Sequence, residues 1–222
     1  RPLVTPTQDM IIGAYYLTQS VPGAKGEGLA FRGVQDAERA LGRAVVANPN
    51  NAMALNYLGY MLAQRGRRLQ DSVLYVARAV ALDPRSADAH YVLGLMLRFQ
   101  GDLDRLREAS ETVVALNPNH ALGVAGLGIY RLLDGRPREA LPYFARAFRL
   151  SPRDPQRAIW HLWVGLASVM LGDDHKALEE SKRSAAANPQ YPPAFALQVS
   201  ALALLGREAE ARAALAILQQ LQ

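Results

Sequence analysis

Cysteine is absent from the chain. That excludes disulfides, thiolate nucleophiles and cysteine-based zinc sites, and it leaves the compartment open. Also absent is any run of about 18 uncharged apolar residues, the length a membrane-spanning helix needs. No charged-then-apolar leader is visible, and the chain begins at Arg1 rather than Met, which reads as a fragment or a processed protein. No Gly-x-Gly-x-x-Gly follows a strand pattern, and "GAKGEG" lacks the Gly-Lys-Ser/Thr ending of a phosphate loop. No Ser/His/Asp order sits in a strand–turn–helix context.

What is present is apolar and periodic. Half of the 222 residues are hydrophobic, so a core can be buried. The net charge is +5, but the arginines are dispersed along the chain, as on a solvated surface rather than a nucleic-acid footprint. Prolines that follow Asn, Asp or Ser recur at Pro49, Pro84, Pro118, Pro152 and Pro189, at steps of 35, 34, 34 and 37. Gly59, Gly94, Gly128 and Gly165 recur inside apolar stretches, and Gly66, Gly101, Gly135 and Gly172 follow each by seven, with Gly206 continuing the series. A fixed period near 34 marks a repeat architecture.

Each period reads as two helices. "AMALNYLGYMLAQRG" has apolar residues at three- and four-residue steps. Gly59 within it is costly for a helix, so another element is expected to approach closely there. Gly66 and its equivalents are expected as left-handed caps. "LQDSVLYVARAVAL" is the second helix, and the next unit restarts after the proline. One such pair cannot bury its apolar face alone; stacked pairs can.

This pattern resembles the tetratricopeptide repeat. The third unit carries Leu127, Gly128, Gly135, Ala140, Phe144, Ala147 and Pro152; the first carries Leu58, Gly59, Leu62, Gly66, Ala79 and Pro84, with one extra turn residue. The second keeps Leu93, Gly94, Leu97, Gly101 and Pro118 but has Leu106 and Ser110 at the Ala and aromatic positions. The fourth keeps Val164, Gly165, Gly172, Ala177 and Pro189, and the fifth Phe195, Gly206 and Ala211. The resemblance implies an all-α, right-handed α-solenoid of five to six stacked antiparallel helix pairs. It would form a single domain over 1–222: a degenerate leading repeat at 1–50 with a Gly-rich loop at 22–30, then repeats 51–84, 85–118, 119–152, 153–189 and 190–222. The leading repeat would pair "DMIIGAYYLTQSV" with a helix carrying Ala37, Leu41 and Ala44.

The last units, with "SPRDP" and "NPQYPPA", are also similar to the C-terminal repeat tails of bacterial class III adenylate/guanylate cyclases and winged-helix regulators. The function implied is a non-catalytic scaffold binding a peptide or helix in a bacterial signalling protein, cytoplasmic; the alternatives are a periplasmic or secreted stand-alone adaptor, and an enzyme subunit whose site the sequence does not reveal. No cofactor, no metal, no nucleic acid and no membrane insertion are expected; the partner is a protein or peptide.

First helices would line a concave groove. Counting from the Leu-Gly pair, its residues are Asn56, Tyr60 and Gln64; Tyr91, Leu95, Arg98 and Phe99; Ala125, Ile129 and Leu133; and Leu162, Leu166 and Met170. The family's carboxylate clamp is absent, since Asn56 stands at the lysine position and Tyr60 at an asparagine position. An apolar groove suits a helix or extended segment with apolar anchors. His90 and His161 are expected to be hydrogen-bonded structural residues, Asp173-Asp174-His175 a helix start, and Glu179-Glu180 a solvated face. In the last helix Ala211, Leu215 and Leu218 should face inward, leaving Ala213, Ala214, Ile217 and Leu221 as a strip for a homodimer through that edge or the groove.

Overall fold

In the computed structural model, residues 33–64 and 68–221 are described. The expected first leading helix, the Gly-rich loop 22–30, Gly66 and the side chain of Gln64 lie outside them. The described residues form helices and no strand. In order these are α1 (Val34–Ala47), α2 (Ala52–Gln64), α3 (Leu69–Leu82), α4 (Ala87–Gln100), α5 (Leu103–Leu116), α6 (Ala121–Leu133), α7 (Pro137–Leu150), α8 (Arg157–Met170), α9 (Asp174–Ala187), α10 (Pro192–Leu204) and α11 (Glu208–Gln220). The all-α repeat architecture is the one the period implies. The described residues divide into two compact units, the first ending at Gln100 and the second beginning at Gly101.

Two kinds of joint alternate. First helices end on glycine: Gly101, Gly135, Gly172 and Gly206 have φ of +75°, +76°, +75° and +70°. After α6 the Gly135 N–H donates to the Leu132 carbonyl (3.0 Å) and the Arg136 N–H to the Arg131 carbonyl (2.9 Å). That pair of bonds closes the helix with a left-handed residue. The same pair recurs at Gly172–Asp173 and Gly206–Arg207. In the α2–α3 turn, one residue longer, Arg68 has φ +51°.

Second helices end on the residue before proline. Asn48, Asp83, Asn117, Ser151 and Asn188 all have φ between −135° and −146°. Proline pushes its predecessor out of the helical region. The Asn or Asp side chain then accepts from the residue after the proline: Asn50 N–H to Asn48 Oδ1 (3.1 Å), Asn119 N–H to Asn117 Oδ1 (3.1 Å) and Gln190 N–H to Asn188 Oδ1 (3.0 Å). The Asn-Pro-x recurrence is therefore a turn, with one donor satisfied by side chain. One expectation changes: the next helix starts three residues beyond the proline, as at Ala52 after Pro49 and Ala121 after Pro118, because the proline occupies this turn.

Packing follows the period within each unit. In the first, Leu41, Ala54, Leu58 and Leu62 form one buried cluster, and Tyr60, Val76, Val92 and Met96 another. In the second, Val124, Ala140, Phe144, Ala147, Trp160 and Val164 are buried together, with Phe148 edge-on to Trp160 at 5.4 Å between centroids. The mid-helix glycines sit where helices meet. A Cβ on Gly128 would lie 3.1 Å from the Phe144 ring and from Tyr143 Cβ. One on Gly59 would lie 2.4 Å from Val76 Cγ2 and 3.0 Å from the Ser72 carbonyl oxygen. At Gly165 the obstacle is Leu197 Cδ2, at 2.5 Å. Leu197 comes from α10, and the ninth helix offers only Ser181 where α7 offers Phe144. On α11 Ala211 is buried and Ile217 is 45% exposed, as expected, but Ala214 is buried and Leu215 is 40% exposed, the reverse of expectation.

Candidate functional site

The expected groove residues divide by burial. Asn56, Tyr60, Ala125, Ile129 and Leu162 are buried. Ala125 and Ile129 belong to the α6–α7–α8 cluster, and Tyr60 packs with Val76 and Met96. Tyr91, Leu95, Arg98 and Leu166 are half-buried. Phe99, Leu133 and Met170 are exposed by 61%, 41% and 53%.

Those last three share a register. Each lies two residues before a left-handed glycine: Phe99 before Gly101, Leu133 before Gly135, Met170 before Gly172. Leu204, before Gly206, is the fourth and is 57% exposed; the sequence reading omitted it because its unit lacks the mid-helix glycine. In the second unit α8 packs against both α6 and α10. Leu133, Met170 and Leu204 thus stand at equivalent ends of neighbouring first helices. In the first unit the Arg98 guanidinium lies 4.8 Å from the Phe99 ring centroid. A cation over an aromatic face is mildly attractive and holds that ring in place.

The polar groups with chemistry are otherwise structural. His161 donates through Nδ1 to Glu180 Oε2 at 2.6 Å, and Arg183 donates to Glu180 Oε1 at 2.6 Å. Glu180 is 5% exposed, so the Glu179-Glu180 pair is not one solvated face: Glu179 is exposed and Glu180 is inside. Burial alone would raise the Glu180 pKa. The hydrogen bond and charge of His161, then those of Arg183, outweigh it and hold the carboxyl below its ordinary value. The Phe148 ring covers His161 at 4.5 Å. His90 Nε2 meets the Pro84 carbonyl at 3.0 Å, and Asp173 caps α9 by accepting from the Lys176 N–H (3.1 Å), both as expected. His120 is a cap that sequence did not reveal: its Nδ1 accepts from the Gly123 N–H at 2.9 Å. Among the described residues no three His, Asp or Glu side chains are grouped to hold a metal. No described helix is long and apolar enough to cross a membrane.

Glycine-capped first helices, proline-ended second helices and a buried small-residue lattice define a tetratricopeptide-type helical repeat. The tetratricopeptide repeat family matches residues 29–71, 65–121 and 125–192, and the chain belongs to it. Among solved structures it is similar to PilW, described as a widely conserved type IV pilus biogenesis factor, with 25% identity and TM-score 0.68 over 77% of both chains. It is also similar to the APC/C hetero-tetramer Cut9–Hcn1, with 15% identity and TM-score 0.76 over 85% of this chain and 37% of that one. A third is YrrB, a tetratricopeptide protein with an unusual peptide-binding site: 19% identity, TM-score 0.52, over 83% of this chain and 93% of that one. The last two show the fold alone. Short stretches are similar to DNA-directed RNA polymerase subunit beta′. The identity is 52% over 46 residues with Leuconostoc pseudomesenteroides and 62% over 37 with Desulforudis audaxviator. The chain spans 5% and 3% of those relatives' lengths, and these stretches carry no functional argument.

Proposed function

We propose that this chain is a non-catalytic scaffold whose first helices take a peptide or a partner helix through apolar anchors. The observation that carries this reading is the exposed row at one register, Leu133, Met170 and Leu204, with Phe99 at the same position in the first unit. Large apolar side chains exposed at one recurring position form a surface that gains by being covered. An amphipathic segment supplies apolar groups at matching intervals. Leu166, half-buried on α8, extends the row, and in the first unit Tyr91, Leu95 and Arg98, also half-buried, lie on α4 with Phe99. The similarity of the last two units to cyclase and winged-helix tails supports a regulatory role in a bacterial cytoplasmic signalling protein. The second reading is a stand-alone periplasmic or secreted adaptor, and the likeness to PilW, a type IV pilus biogenesis factor, supports an assembly role for it. A homodimer, through the row or through α11, is the self-association that this reading includes.

The test is selection of peptides on the purified chain, followed by Leu133→Glu, Met170→Glu and Leu204→Glu. Selected peptides should carry apolar anchors, and each variant should weaken them by about 2 kcal/mol, the scale of an interface hot spot. Peptides bound equally well by all three variants would refute the row as the binding surface. In light scattering, a monomer mass unchanged up to tens of micromolar would remove the homodimer. Detectable ATP or GTP cyclisation that copurifies with the chain would overturn the non-catalytic reading.

A further inference from the structure

Second helices close one pair of positions against the interior. The pair is Val76 and Ala79 on α3, Phe144 and Ala147 on α7, and Ser181 and Ser184 on α9, all 0% exposed. On α11, where Ala211 stands in line with Ala140 and Ala177, the same pair is Leu215 and Leu218. Here Leu215 is 40% exposed and Leu218 half-buried. The inner pairs are covered by the first helix of the next repeat. Val76 is buried with Val92 and Met96 of α4, and Ala79 with Ala89. Phe144 and Ala147 are buried with Trp160 and Val164 of α8. The larger side chains of α11 therefore stand exposed at positions that elsewhere receive a helix.

Each such seat has two walls. α4 packs on α3 and on α2, α8 on α7 and on α6, and α10 on α9 and on α8. Next in that series is the notch between α11 and α10. It is one helix wide and as long as α11, 13 residues or about 20 Å. From Ala213 to Leu221 the chain holds no charged residue. An uncharged apolar notch of this size suits one helix with apolar side chains at three- and four-residue steps. Leu218 is bulkier than Ala79 and Ala147, so that helix needs a small residue where it crosses. A second copy of the chain has no described first helix to lend. Its α2, α4, α6, α8 and α10 are each seated on the second helix before them.

We infer that the α10–α11 notch is a docking seat for one amphipathic helix of a partner protein, packed there as the first helix of a further repeat. The seat continues the interface that joins successive repeats within the chain. It adds a surface to the scaffold reading and does not depend on the apolar row. α11 is then the partner's seat, and the row is the route left for a homodimer.

The chain has no cysteine, so Leu215→Cys in the full chain gives a single thiol whose labelling by a maleimide reports on the seat. The probe is a peptide of residues 87–100, the helix that covers Val76 and Ala79, bridged between positions 95 and 99 to hold it helical. The control peptide carries Val92→Glu and Met96→Glu. Without peptide the thiol should label at a rate close to that of the urea-unfolded chain and independent of chain concentration. The probe should slow labelling about tenfold once it exceeds its Kd tenfold, and the control should not. Slow labelling of the folded chain at every concentration would mean that the chain covers the seat itself. Labelling that slows as chain concentration rises would give the seat to a second copy. No slowing by millimolar probe, or equal slowing by both peptides, would leave no seat for a helix. Each of these three results overturns the inference. Leu133→Cys, labelled in parallel, reads the row alone, so a failed seat and a failed row are told apart.

Discussion

The α6–α7 repeat and the α2–α3 repeat carry the same period and solve it differently. In α6–α7 the turn glycine is left-handed, Ala140 packs under the pair, and the Phe144 ring lies against Gly128. In α2–α3 the turn is longer and Arg68 adopts the left-handed conformation. Ser72 replaces the alanine and donates its hydroxyl to the Gly59 carbonyl, and Val76 replaces the ring. The lesson is that the period specifies close approach, not the group that makes it. One glycine is closed off by a side chain that can be removed, the other partly by backbone that cannot.

That difference can be broken open by paired substitutions. Phe144→Ala should cost about 3–5 kcal/mol, as expected for a buried aromatic truncated to a cavity. Gly128→Leu alone should cost about 1–3 kcal/mol or more by overpacking. Combined, they should cost at least about 1 kcal/mol less than their sum, because the leucine enters the space the ring leaves. Gly59→Leu combined with Val76→Ala should show no such recovery, since the Ser72 carbonyl stays 3.0 Å from the added Cβ. Urea unfolding of the six variants decides it; recovery in α2–α3 would mean that the backbone there yields.

A second contrast sets Glu180 on α9 against its exposed neighbour Glu179. Glu180→Gln should cost about 1–3 kcal/mol at neutral pH, by weakening two buried charged hydrogen bonds. Its folded-state pKa is lowered from the ordinary value of 4.5. Its contribution is therefore complete above that value and is lost as pH falls through the lower, folded-state pKa. The wild-type melting temperature should drop more steeply than that of Glu180→Gln over this acid range. Glu179→Gln should follow the wild type. Parallel curves for wild type and Glu180→Gln would show that the carboxyl titrates alike in folded and unfolded chains.

The smallest effects belong to the turns. Gly135→Ala should cost about 1–2 kcal/mol, because a side chain is strained at positive φ. Arg68→Gly should gain less than about 1 kcal/mol, since relief of that strain is offset by glycine's flexibility when unfolded and by loss of the Arg68–Asp71 ion pair. A loss of stability in Arg68→Gly would give the ion pair more weight than the backbone.

Much of the architecture was legible because glycine and proline act locally. The bounds of α3 coincide with the stretch read as a helix, and the caps Gly101, Gly135, Gly172 and Gly206 fall where the spacing puts them. What was not legible depends on neighbours beyond the period. Glu180 lies inside because His161, 19 residues earlier, meets it across a helix interface. Its sequence context, Glu-Glu-Ser-Lys-Arg, looks like water-facing surface. Asn56 and Tyr60 were read as groove residues by counting from Leu-Gly. Counting fixes a direction but not the bulk that surrounds it, and both are buried. Leu204 was missed because Val199 breaks the glycine series that served as the ruler.

The extra residue between α2 and α3 has a genetic consequence. An insertion inside a helix would rotate every later side chain in it by about 100° and turn core positions outward. Here the extra residue falls in the turn, where Arg68 is left-handed, and Ser72, Val76 and Ala79 of the following helix still reach the interior. The added residues of "SPRDP" fall likewise between α7 and α8, not within them. Changes in gene length are thus filtered by position. Within this chain the length differences between repeats fall at the joints, and the helices keep 13 or 14 residues each.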